Sequence, residues 1–184
     1  IAFSADGPYK ESTSVTITAT FTEAMTTTPK IAISGVSSIT ATDMSGGGTS
    51  WTYTYVAPAG NGIETIAFSV GTDAAGNIVT ATPTANPTFL VDNTAPTMTI
   101  ASTTAGVTDA STTNDSSIAL TFTASQTTTN FAFEDVLVTN GTLTSFSGSG
   151  VSYSATFTPV GNGATTIDVA VDKFTDTAGN DNPA

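Results

Sequence analysis

Three short strings occur twice in the chain at nearly the same separation. ATFTEA at 19–24 returns as LTFTAS at 120–125, and PAGNG at 58–62 returns as PVGNG at 159–163, each displaced by 101 residues. DAAGN at 73–77 returns as DTAGN at 176–180, displaced by 103. A drift of two residues is one loop insertion, so the 184 residues read as two tandem copies of one unit. VDNTAP at 91–96 lies between them as a short linker with a stiff X-Pro turn. The expected domains are therefore 1–93 and 94–184.

Within each copy the apolar period is two. In VTITATF, Val15, Ile17, Ala19 and Phe21 alternate with Thr16, Thr18 and Thr20. Trp51, Tyr53 and Tyr55 alternate with Thr in WTYTY. The same holds for Val151, Tyr153, Ala155 and Phe157, and for Ile167, Val169 and Val171. A period of two puts one set of side chains on each face of a strand, and no 3.6-residue apolar stripe competes with it. Turn strings such as GNG, SGGG and GSG punctuate the chain. Seven strands are expected in the first copy, near 1–4, 14–21, 30–34, 38–42, 50–57, 63–70 and 87–91. Short strands with even turn spacing predict an all-β chain of two tandem immunoglobulin-like Greek-key β-sandwiches. There is no inter-sheet disulfide, because the chain has no Cys.

Charge narrows the function. Acidic residues outnumber basic ones 15 to 3, for a net charge of −12. Such a field repels nucleic acid and anionic membranes, so neither is an expected partner, whereas cations are attracted. The absence of His removes the commonest general base and zinc ligand. No apolar run reaches the roughly 18 residues that span a bilayer, so membrane insertion is not expected. Ser nucleophiles lack a His partner and there is no GxSxG, so the chain is not read as an enzyme. Asp168 and Asp172 could pair as acid and base, but exposed strand carboxylates are the commoner case. SGGG at 45–48 is too short, and has no following helix, to cradle a phosphate.

YKESTSVTITATFTEAM, PAGNGIETIAFSVGTDAAGN and FLVDNTAPT in the first copy resemble the bacterial Ig-like repeats of very large surface adhesins. FAFEDVLVTNGTLTSFSGSGVSYSATFTP through FTDTAGN in the second resembles a sister group of those repeats. The resemblance covers essentially the whole chain. It implies an extracellular or bacterial cell-surface protein built of many such modules, with neighbouring Ig-like repeats or adjacent subunits as partners. It also implies calcium at the junctions of some members. It does not supply a ligand, since most repeats are spacers. The second copy stops at AGNDNPA, before the counterpart of TFLVD, so its last strand is expected to be missing from this chain or supplied by another segment. A strand donated by a neighbour would build a head-to-tail filament.

Sandwich topology places the DxAGN loops at the pole where each unit begins. Asp176 and Asn180 are thus expected to face Asp6, Glu11, Asp92 and Asn93 across the junction. Asp73 and Asn77, with Glu23, are expected at the start of the first unit, and Asp109 and Asp115 at the far end. Hard cations want six to eight oxygens, and crowded carboxylates are costly until neutralised, which makes calcium the candidate ion. The alternative is purely structural: Asp opens an Asx-turn, and Gly and Asn tolerate positive φ.

The expected function is a structural or adhesive module that spaces or projects a binding tip, stiffened by calcium. One alternative is a self-assembling fibre subunit completed by a neighbour's strand. The other is a module that binds a glycan or a host-surface protein, for which Tyr9 is the candidate loop aromatic. The Thr rows could order water on a flat face, and Trp51, Tyr53 and Tyr55 could stack on a sugar. The commoner readings are a solvated strand face and a packed core.

Overall fold

Alternation in the sequence becomes alternation in burial. The computed structural model describes residues 1–183; Ala184, the final residue of the expected second domain, lies outside the described residues. The chain divides into two units, Ile1–Asn93 and Thr94–Ala184. Among the described residues, the single helical element is a 3₁₀ turn at Phe133–Asp135.

Unit 1 contains β1 (Ala2–Phe3), β2 (Ser14–Thr20), β3 (Lys30–Ser34), β4 (Ser38–Asp43), β5 (Ser45–Gly47), β6 (Ser50–Val56), β7 (Gly62–Ser69) and β8 (Thr88–Val91). They form two antiparallel sheets, ordered β1-β2-β6-β5 and β4-β3-β7-β8. Val15, Ile17, Ala19, Trp51 and Tyr55 from the first sheet share one core with Ile31, Ile33, Ile66, Phe68, Phe89 and Val91 from the second. Each large apolar side chain buried this fully contributes roughly 1.5–3 kcal/mol. The opposite face of β2 and β6 carries Thr16 across from Thr54 and Thr18 across from Thr52, a polar row without charge.

β5 is a strand that the sequence pattern does not show. Its residues, Ser45, Gly46 and Gly47, have no apolar alternation, and pairing with β6 alone makes it a strand. A Cβ on Gly46 would fall on the Ser50 carbonyl oxygen and within 2.8 Å of Trp51 Cα, so only glycine fits there. The Trp51 indole N–H then donates to the Gly48 carbonyl at 3.0 Å, which satisfies a polar group at the core margin.

Tyr9 bridges the two sheets of unit 1. After β1 pairs with β2, the chain crosses over, and Tyr9 pairs in parallel with Val91. Its ring is 2% exposed and meets Phe3 and Phe89 edge-on.

Unit 2 contains β9 (Met98–Ser102), β10 (Ile118–Thr128), β11 (Val136–Val138), β12 (Gly141–Pro159) and β13 (Ile167–Val169). β12, β10 and β9 form one sheet, and β11 pairs with β13. Phe131 lies at the middle of its core, with ring contacts to Phe122, Phe146, Tyr153 and Phe174. The tight hairpin recurs. A Cβ on Gly148 would meet the Ser152 carbonyl oxygen and Tyr153 Cα, as Gly46 would meet Ser50 and Trp51.

Two expected faces are corrected here. Tyr153, Ala155 and Phe157 are buried, but Val151 is 44% exposed, because the register of β10 against β12 breaks between Thr123 and Thr128. Ile167 and Val169 point inward, but the strand ends there. Val171 is 49% exposed, and Asp172 sits in a turn with φ of 58°.

Candidate functional site

The two DxAGN loops are built alike. Asp73 accepts the backbone N–H groups of Ala75 at 2.8 Å and Asn77 at 2.9 Å on Oδ1, and the Asn77 side-chain amide at 2.7 Å on Oδ2. Asp176 accepts the Asn180 backbone N–H at 2.9 Å on Oδ1 and its side-chain amide at 2.9 Å on Oδ2. In each loop the aspartate N–H donates to the asparagine carbonyl, and the glycine N–H donates to the aspartate carbonyl. Gly76 and Gly179 take φ of 89° and 86°, a conformation open to glycine and costly for other residues. Both aspartates are buried, at 7% and 3% exposure. Local geometry explains this motif: three donors within four residues surround one carboxylate.

These donors shift the charge balance at Asp73. Hydrogen bonds from the Asn77 side chain and backbone hold its carboxyl below the ordinary aspartate value, against an opposing effect of burial. Glu23 also lies within hydrogen-bonding reach of Asp73. The alignment position of Glu23 in unit 2 is Ala124, so the Asp176 loop has no equivalent acid.

The remaining expected ligands are dispersed within their units. Asn93 acts as a latch: its Oδ1 accepts the Glu11 N–H, its Nδ2 donates to the carbonyls of Pro58 and Gly60, and its own N–H donates to Asn61 Oδ1. Its side chain therefore ties two loop segments of unit 1 together, the one at Glu11 and the one at 58–60. Asp92 is half-buried, and its N–H donates to the Tyr9 carbonyl at 3.0 Å. Asp6 and Glu11 are exposed, and Asp6 is close enough to Tyr9 to help burial raise the phenol's pKa. Asp109 and Asp115 are exposed in the β9–β10 loop. Among the described residues, no three Asp, Glu, His or Cys side chains are grouped closely enough to hold a metal ion.

Tyr9 does not supply an exposed loop aromatic. Its burial and its hydroxyl bond to the Ala5 carbonyl make it a core residue. Trp51 and Tyr55 are likewise buried, and Tyr53 is half-buried against the same core. Asp168 is exposed on β13, across from Leu137.

Two polar residues carry more of the structure than their sequence context announces. Glu64, on the inward face of β7, is fully buried. Its Oε1 accepts the Tyr55 hydroxyl at 2.8 Å and the Ser37 N–H at 2.7 Å, while Oε2 has no partner. Burial, then the hydrogen bond to Glu64, push the Tyr55 hydroxyl well above its ordinary pKa. The sequence signal was present in IETIAF: Ile66 and Phe68 share a face with Glu64, so an inward Glu follows once those two are inward. Asn182 is the second. It accepts the N–H groups of Lys173 and Phe174 and donates to the carbonyls of Ala170 and Pro183. Its alignment position in unit 1 is the apolar Val79.

With both units described, the comparison with known proteins has a structural setting. A family model of the bacterial Ig-like domain matches residues 92–184. The chain belongs to the bacterial Ig-like domain family. No curated protein and no solved structure matches it. Bacterial Ig-like domains are structural or adhesion-type modules, non-catalytic as a family and commonly extracellular. No helix among the described residues is long and apolar enough to cross a membrane.

Proposed function

We propose that this bacterial Ig-like chain is a spacer segment of an extracellular or cell-surface adhesive protein, whose task is to hold its shape under extension. The observation that carries the reading is the fate of the repeated acidic loops. Their carboxylates are engaged by their own backbone and asparagine donors, which is what a loop needs to stay rigid. Uncharged Ser and Thr on the outer faces, with Thr121 across from Ser154 and Thr123 across from Ser152 in unit 2, fit a solvated shaft. Single-molecule stretching tests the role. Each unit should open in its own force peak and release a contour of at most about 3.3–3.6 Å per residue. A single merged event, or extension without a peak, would remove the reading.

Calcium stiffening is proposed for one place, the loop where Glu23 comes beside Asp73 and Asn77. The support is the second carboxyl there, together with the overall acidity of the chain. Melting curves of the intact chain with calcium and with a chelator test it. A rise confined to unit 1 and lost in Glu23→Gln is expected, and superimposable curves would exclude it.

A further inference from the structure

We propose that Asn93 is the staple through which unit 1 resists a pull along the chain. Its side chain fastens the segment by which the chain leaves the unit to the segment by which it enters, so that tension must break their bonds together. The inference rests on the spacer reading and adds to it the residue that takes the strain.

The two segments run parallel. Tyr9 pairs in parallel with Val91; its N–H donates to the Leu90 carbonyl at 3.0 Å, and its carbonyl accepts the Asp92 N–H at 3.0 Å. Residues 9–11 follow β1, and residues 90–93 lead into Thr94, where unit 2 begins. Tension on the chain therefore drags the two segments in opposite directions along one axis. The bonds between them run across that axis and are loaded at once, whereas a hairpin pulled open at its ends loses its bonds one at a time.

Two backbone bonds make a short ladder, and Asn93 lengthens it. The next donor is the Glu11 N–H, which a regular parallel ladder would direct to the Asp92 carbonyl. Here it goes to Asn93 Oδ1. The same amide donates from Nδ2 to the carbonyls of Pro58 and Gly60, and the Asn93 N–H donates to Asn61 Oδ1 at 2.6 Å. On the entry side, the Ser12 N–H donates to the Ala57 carbonyl at 2.9 Å, and the Ala57 N–H to the Thr13 carbonyl at 2.9 Å. Entry, exit and the turn at 57–61 thus form one hydrogen-bonded knot, and Asn93 joins the exit to both of the others. The task needs an acceptor and two donors on one short side chain. Asn supplies them, whereas ionised Asp has no donor and Ser has one.

The test is constant-force stretching of the intact 184-residue chain held by its two ends, beside unfolding rates of the same variants in urea. Phe157→Ala, which weakens unit 2, marks the event that belongs to unit 1. In Asn93→Ala, opening of unit 1 should be accelerated at least tenfold more under load than in urea. Asn93→Asp keeps the acceptor and loses both donors, and should fall between Asn93→Ala and the native chain. Ile33→Val, buried between the sheets at 1% exposure, is the reference for a variant that only loosens the core. It should be accelerated no more under load than in urea, because forced opening follows the barrier that the pull meets first. Equal acceleration of Asn93→Ala with and without load would overturn the staple and leave the spacer reading standing. A native unit 1 that opens without resistance would remove both.

Discussion

Beneath its last strand, unit 1 places Tyr55 and a buried Glu64 joined by a 2.8 Å hydrogen bond, and rings from Phe3, Tyr9 and Phe89 close around them. A displacement of 101 carries Tyr55 to Thr156, half-buried, and Glu64 to Thr165, exposed, while the neighbouring Phe157 fills the core. There the aromatic mass has moved to the hairpin end, around Phe131. The loops and the glycine hairpin are kept in both units, while the filling is not. Backbone geometry that demands a positive φ or a close approach admits few residues, whereas a core admits any set that fills the volume and satisfies its polar atoms. A polar plug such as Tyr55–Glu64 therefore belongs to unit 1 alone.

The largest expected break in this comparison is Phe157→Ala. Emptying that site should cost unit 2 about 3–5 kcal/mol and leave unit 1 unchanged, read as the loss of one of two calorimetric transitions. Equal loss in both would mean that the units do not fold separately. Next come Gly46→Ala and Gly148→Ala, which should each destabilise their own unit by about 2–3 kcal/mol, because both force a Cβ onto backbone atoms at positive φ. Unequal penalties in urea titrations would show that the hairpins are alike in outline only. Tyr55→Phe should cost unit 1 about 1–2 kcal/mol by removing a donor from a buried carboxylate, and nearly nothing once Glu64→Leu is in place. Additive losses would remove the coupling between the two residues.

The smallest effect is at Asp73, and it depends on pH. Its folded pKa is depressed, so its contribution is complete above the ordinary aspartate value of about 3.9 and fades as pH falls through the lower folded value. Unit 1 should lose stability more steeply on acidification in the native chain than in Asp73→Asn, which should already be weaker at neutral pH. Parallel acid limbs in denaturant titrations would show that the carboxylate charge is not what the Asn77 donors hold.

Much of the fold was legible because strand faces obey a local rule. Ile17, Tyr55 and Phe157 are buried where alternation put them. The acidic loops were legible as turns for the same reason, since the Ala75 and Asn77 donors to Asp73 lie within four residues of it. Tyr9 was not, because a lone aromatic between Pro8 and Lys10 has no period, and only its pairing with Val91 draws it inward. β5 was invisible for want of side chains to alternate.

By itself, then, the sequence determined most of the strand content, the repeated acidic loops and most of the faces that alternate. These rest on the period of two and on backbone preferences, both of which act over a few residues. Only the tertiary structure decided that Glu64 would meet Tyr55 and Ser37, that Asn93 would latch the Glu11 segment to the loop at 58–60, and that Tyr9 would pair with Val91. Those outcomes depend on partners brought together from different strands and loops, where burial removes competing water and makes each unpaired polar atom expensive.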